Sequence, residues 1–300
     1  MGFSDLARLC RERGARRLAV VAADEENVLK GVLRARREGI ASPVLIGDRA
    51  RIEAIVAADG LTLDGCEVEH VPDAKDAAER AMELVRKKSV SALMKGRITT
   101  PELMRLGLRH GLRREGRLLT HVTLFENEKL GRPALFSDGA MVPYPTYEQR
   151  VEIVRNAVEA MRALGFASPR VAILSSTEDV DEKIPVSVDA ARLKAANGPG
   201  GALEGQGIVD GPLDLLAALD PEAARVKGQG GEVAGRADVL ICPDVVAGNL
   251  MGKALIFFAP RTRVGGCVVG GAVPVILLSR ASSADDKYCS IVLGLSCGAA

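Results

Sequence analysis

A hydroxyl, a guanidinium and two carboxylates fall within eight residues near the end of the chain: Ser279, Arg280, Asp285 and Asp286. Together they could hold an anion and move a proton in one place. The run before them, Val275 to Leu278, is unbroken and apolar, which suits a parallel strand covered on both faces. Ser279 and Arg280 then sit just past its carboxyl end, where open α/β sheets bind ligands. Ser282 or Ser283 would cap a following helix whose first turn holds Asp285 and Asp286, so the same groups also read as ordinary helix hardware.

Two more strand ends carry chemistry. Val90 to Met94 runs into Lys95, Gly96, Arg97, Ile98, Thr99, Thr100, Pro101 and Glu102. Gly96 permits a tight turn, Thr99 or Thr100 caps a helix with Pro101 at its first position, and free N–H groups with Lys95 and Arg97 would meet a phosphate. The alternative is a solvated basic turn, and the Walker A spacing is missing. Val239 to Cys242 leads in the same way into Pro243, Asp244, Gly248, Asn249 and Lys253, where Asp244 and Asn249 could also do no more than cap a helix.

The elements that must position these residues alternate between strand and helix from the start. Strands are expected at Arg17 to Ala22, Pro43 to Ile46 and Glu67 to Val71, with helices at Glu25 to Glu38, Arg49 to Ala58 and Ala74 to Lys88. Leu118 to Phe125 and Pro133 to Phe136 continue the strands, and Pro143 and Pro145 suggest a boundary before a helix from Thr146 to Leu164. A second α/β series follows, from Val171 to Ser175 and Val188 to Ala196, with Asn197 to Gly207 read as a mobile glycine-rich loop. Repeated βα units imply a parallel sheet, and 300 residues favour two domains.

Composition removes other classes. Forty Lys plus Arg against 39 Asp plus Glu leave a formal charge of +1, so no global field draws the chain to nucleic acid or an anionic membrane. With no Trp and 3% aromatic residues, stacking platforms for single strands are lacking. Apolar runs stop short of the roughly 20 residues of a membrane span, and Met1 to Arg17 reads as an amphipathic helix, which places the protein in the cytoplasm. Six scattered cysteines and three histidines without metal spacing read as structural, His121 among them.

Taken together, Pro243, Asp244, Gly248, Asn249 and Lys253 with Ser279, Arg280 and Asp286 resemble the phosphate acetyl/butyryltransferases. Further matches span most of the chain: Met94, Lys95, Gly96 and Thr100; His121, Val122, Phe125 and Glu126; Pro145, Thr146, Glu148 and Gln149; Asp210 to Leu213. The butyryl branch fits best. The resemblance implies reversible transfer of a short acyl group between coenzyme A and phosphate, with coenzyme A as substrate, no metal or bound cofactor, and a homodimer or higher homo-oligomer. It also implies an α/β fold of two doubly wound domains with a cleft between them, like the isocitrate and isopropylmalate dehydrogenases. Domain I would be residues 1–137 plus 267–300, and domain II residues 138–266. Three positions depart from the family's habit: Val142 for Asn, Leu216 for Asp and Gly252 for Tyr.

In the mechanism expected for such a transfer, Asp286, or Asp285 in its place, would take the proton from the coenzyme A thiol, Ser279 would stabilise the oxyanion, and Arg280 with Arg97 and the Gly96 turn would hold the phosphate. Lys95, Thr99, Thr100, Asp244, Asn249 and Lys253 complete the substrate-binding set. An ordinary carboxylate near pKa 4 is about 4.5 units short of a thiol near 8.5, so burial or cations must close the gap. A metal-dependent decarboxylating dehydrogenase is the first rival, opposed by Lys253 and Phe257 where that family has aspartates. A non-catalytic acyl-CoA or acyl-phosphate binding protein is the second.

Overall fold

In the computed structural model, which describes residues 2–259, 261–279 and 281–298, helix α1 (Phe3–Glu12) turns Phe3, Leu6, Ala7 and Cys10 inward. Strand β1 (Arg16–Val21) follows, then α2 (Glu26–Arg37), β2 (Ala41–Gly47), α3 (Arg49–Ala58), β3 (Glu67–His70), α4 (Ala74–Arg86), β4 (Ala92–Lys95) and α5 (Thr100–Arg109). Leu18 to Val21 are buried without alternation, the mark of a strand covered on both faces. Local chemistry fixes the helix starts. Asp48 and Asp73 accept from first-turn N–H groups, and Thr99 with Glu102 forms a capping box. Thr99 is thus the cap, leaving Thr100 in the first turn beside Pro101.

The next element group forms a unit of its own, Thr120–Thr262. It holds β5 (Thr120–Glu126), β6 (Ala134–Ser137), α6 (Tyr147–Ala163), β7 (Arg170–Leu174), α7 (Pro185–Ala195), β8 (Ile208–Leu213), α8 (Leu215–Leu219), α9 (Pro221–Val226), β9 (Val239–Ile241) and α10 (Val245–Phe258). Its strand order is β5-β6-β9-β7-β8, parallel except for the β5–β6 pair. Asp238, 4% exposed at its side chain, receives a two-pronged bond from Arg170, with Nε and a terminal nitrogen each at 2.8 Å. The glycine-rich segment after Asn197, expected to be mobile, carries its own bonds. Asn197 Nδ2 donates to the Leu203 carbonyl at 2.7 Å, its Oδ1 accepts from Val209 N at 3.0 Å, and Arg155 reaches the Ala202 carbonyl at 2.6 Å.

Residues 120–137 were expected in the first domain, yet they fall in this second unit. The reason is strand pairing: Leu135, Phe136 and Ser137 lie opposite Val239, Leu240 and Ile241, and β5 pairs with β6.

The returning segment completes the other unit, Met1–Leu119 with Arg263–Ala300. It supplies β10 (Arg263–Val269), β11 (Val275–Ile276) and α11 (Ala284–Cys297). Strand order here is β3-β2-β1-β4-β11-β10, parallel except for the β10–β11 pair. Strand β11 is shorter than the apolar run Val275 to Leu278. Its partner β4 turns away at Gly96, so the ladder ends after Ile276 opposite Met94. Helix α11 is buried from Lys287 to Ser296, packed on α2 and β10. No helix among the described residues is long and apolar enough to cross a membrane.

Candidate active site

Strands β1, β4 and β11 are parallel neighbours, so their carboxyl ends open at one sheet edge. That edge carries the loops after Val21, after Lys95 and after Ile276. Ser279 is exposed; its Oγ accepts from Ala281 N at 3.3 Å, and its carbonyl accepts from Ser282 N at 3.2 Å and from Lys287 Nζ at 3.1 Å. Arg280 lies outside the described residues. Ser283, not Ser282, caps α11. Asp286 Oδ2 accepts from Ser283 N at 3.0 Å and from Ser283 Oγ at 2.8 Å, closing a capping box. Asp285 is 83% exposed at its side chain and pairs with Arg34 at 2.7 Å. Asp286 is half-buried.

The loop after β4 departs from its expected form. Gly96 N and Arg97 N are not free for an anion, because they donate to the Val21 and Ala22 carbonyls, each at 2.8 Å. Glycine is required at 96 for close approach: a Cβ there would lie 2.2 Å from the Ala22 carbonyl oxygen. Lys95 is 4% exposed and turns inward, with Nζ donating to the Gly96 and Ile98 carbonyls at 3.1 Å. It braces the loop from inside and does not project from it. Arg97 Nε donates to Asp24 Oδ2 at 2.6 Å, and Asp24 is 2% exposed at its side chain. The sequence reading missed Asp24, Glu25 and Lys287. The first two end the apolar run that β1 begins, with two residues between them and the strand, the same signal that marked Ser279. Lys287 opens a run with no other charge through Cys297.

In the second unit Asp244 caps α10, its Oδ1 accepting from Ala247 N at 2.9 Å. Asn249 Nδ2 donates to the Gly139 carbonyl at 3.3 Å, and Lys253 Nζ donates to Asn249 Oδ1 at 2.5 Å. Gly248 lets α10 approach this turn; a Cβ there would sit 2.3 Å from the Asp138 carbonyl oxygen. Asp138 shapes the turn, with Oδ1 accepting from Ala140 N at 2.7 Å and Met141 N at 2.8 Å, and Oδ2 from His121 N at 3.0 Å. Burial pushes its carboxyl above the usual aspartate range, against the pull of those N–H groups. Neighbouring Cys242 has its thiol pushed up to about 12, by burial first and then by the charges of Asp138 and Asp244. Arg150, 9% exposed at its side chain, donates to the Pro243 carbonyl at 2.6 Å and pairs with Asp189 at 3.3 Å. Of the unusual positions, Val142 is buried, Leu216 is exposed, and Gly252 faces Phe136, whose ring would meet an added Cβ at 3.1 Å.

A family model described as phosphate acetyl/butaryl transferase matches residues 69–295. The chain belongs to the phosphate acetyl/butyryl transferase family. Phosphate butyryltransferase of Clostridium acetobutylicum is 36% identical over 97% of this chain and 96% of its own length. Phosphate acetyltransferase of Thermotoga maritima is 37% identical over 98% of each. Among solved structures, a branched-chain phosphotransacylase from Enterococcus faecalis matches with a TM-score of 0.83 and 29% identity, over 94% of this chain and 98% of that one. The mixed α/β architecture is thus that of a phosphotransacylase, and membership of the phosphate acetyl/butyryl transferase family makes the protein an acyltransferase.

Proposed function

We propose that the protein transfers a short acyl group reversibly between coenzyme A and inorganic phosphate, giving acyl phosphate, with butyryl preferred and acetyl second. Coenzyme A is a substrate in this reading and no cofactor is bound. The observation that carries it is the near-full-length relatedness to phosphate butyryltransferase and phosphate acetyltransferase at 36% and 37% identity. The exposed Ser279 hydroxyl at a strand end that opens beside two others supports it. The parallel runs β3-β2-β1-β4 and β6-β9-β7-β8 support the finer reading of two doubly wound domains of the isocitrate/isopropylmalate dehydrogenase kind. A cytoplasmic location and a homodimer or higher homo-oligomer belong to the same proposal. Leu250, Ile256, Phe257 and Phe258 on α10 are exposed apolar side chains of the sort a second copy would cover; a monomer in sedimentation velocity would contradict that part.

In the proposed chemistry a carboxylate of α11 takes the thiol proton, the thiolate attacks the carbonyl of the acyl phosphate, Ser279 Oγ donates to the developing oxyanion, and phosphate leaves. Arg280 is assigned to the phosphate by a bidentate contact, with Arg97 beside it and Thr99 and Thr100 at the helix start. Asp244, Asn249 and Lys253 are assigned to substrate binding. Arg280→Lys keeps the charge but loses the planar fork, so the phosphate KM should rise far more than the acyl-CoA KM; titrating the two substrates separately checks it, and an effect confined to coenzyme A would reassign the arginine.

The capping box calls for a paired test of Asp286. Asp286→Asn should lower kcat by about 10². Ser283→Ala, which removes the cap and leaves the carboxylate, should cost about 1 kcal/mol of stability and change kcat less than about threefold. Equal kcat losses in the two variants would make Asp286 a helix-start residue and take it out of proton transfer.

A further inference from the structure

We propose that Lys287 is a positioning residue for the reaction, a buried ammonium that fixes the Ser279 loop through the Ser279 carbonyl. The inference rests on the reading of that loop as the reacting one. Lys287 is 1% exposed at its side chain, and among the described residues its Nζ meets the Ser279 carbonyl oxygen at 3.1 Å and Glu25 Oε1 at 3.4 Å. Glu25 stands at the N-cap of α2 but makes no side-chain cap bond there. Its carboxylate faces Lys287 instead, with Oε2 buried and unpartnered. An acid that leaves its own helix uncapped to meet a buried lysine serves something other than α2.

Burying such a pair adds little stability compared with apolar residues of the same volume. Packing between α2 and α11 could be met by a methionine. What only the ammonium supplies is a charged donor to the Ser279 carbonyl, which holds the loop backbone at Ser279 in place. A second bond from α2 reaches the far end of the same loop: Asn27 Nδ2 donates to the Ser282 carbonyl at 3.2 Å. The start of α2 therefore grips the loop at both ends, by Glu25 through Lys287 and by Asn27 directly. The preceding residue, Asp24, holds Arg97 at 2.6 Å, so one turn after β1 orders the loops that follow β4 and β11.

The test separates support of the fold from support of the loop. Lys287→Met leaves the half-buried Glu25, whose Oε2 is buried, without its cation and should lower Tm by roughly 10 °C. Lys287→Met/Glu25→Gln removes both charges and should return Tm to within about 3 °C of wild type. If Lys287 positions the loop, kcat of the double variant stays down by about tenfold or more at saturating substrates. Adding Ser279→Ala to it should then cost little beyond Ser279→Ala alone, because both act on one group. A double variant with wild-type kcat, beside a Ser279→Ala enzyme that is slow, would overturn the proposal and leave Lys287 a fold residue. Fully additive losses would overturn it too. A Ser279→Ala enzyme at full rate would instead remove the loop itself from the reaction. Should the double variant not fold, Asn27→Ala loosens the other end of the loop without stranding a charge; kcat should fall about threefold or more, and an unchanged kcat would contradict the inference.

Discussion

Ser279→Ala should lower kcat by about 10² or more while Tm stays within about 2 °C of wild type. Both halves come from where the side chain lies. It is exposed, and the bond its Oγ accepts, from Ala281 N, is long at 3.3 Å, so little of the fold depends on it. The loop backbone is held instead through the Ser279 carbonyl, which the substitution keeps. In the proposed chemistry, what is lost is a hydroxyl donor that meets negative charge only as the tetrahedral oxyanion forms. Both substrate KM values should therefore change little beside kcat. A parallel fall in Tm and activity would mean that the serine supports the loop and not the reaction.

Gly96→Ala should be the most damaging single methyl group in the first unit. Its Cβ would meet the Ala22 carbonyl oxygen at 2.2 Å and the Val21 carbonyl oxygen at 2.7 Å. Both are backbone atoms and cannot rotate away, so β1 and β4 must spread and give up the bonds from Gly96 N and Arg97 N. Overpacking of this kind costs about 3 kcal/mol. Urea unfolding should show a lower midpoint at unchanged slope, and activity should fall with it because Lys95, Arg97 and Asp24 are set by the same turn. Gly230→Ala is the control, since an added Cβ there meets nothing within 4 Å. If both variants melt alike, the close approach at Gly96 does not limit stability.

What the sequence shows well is what neighbours in sequence decide. Caps such as Thr146 with Gln149 and Ser283 with Asp286 are three residues apart, and the helices they open begin where those side chains bond the backbone. The unit boundary was illegible for the opposite reason. Residues 120–137 hold no break at their start, and their place is set by β9, about a hundred residues on. The same distance hid the true state of the basic turn. Lys95 and Arg97 read as an open pair of cations, yet one turns inward to its own loop and the other meets Asp24 across 73 residues. Lys287 was missed because its place depends on Glu25, from the other end of the chain. The motifs that disclosed the family, Asp244 to Lys253 and Ser279 to Asp286, are compact stretches at strand ends and were legible on that account.

The most direct test of the central claim is the release of coenzyme A thiol from butyryl-CoA by the purified protein, with phosphate varied from zero to saturation and acetyl-CoA run beside it. The account predicts release that saturates with phosphate, one acyl phosphate formed per thiol, reversal when acyl phosphate and coenzyme A are supplied, and a higher kcat/KM for butyryl-CoA. Binding of acyl-CoA without phosphate-dependent release, or thiol release at the same rate with no phosphate present, would contradict it.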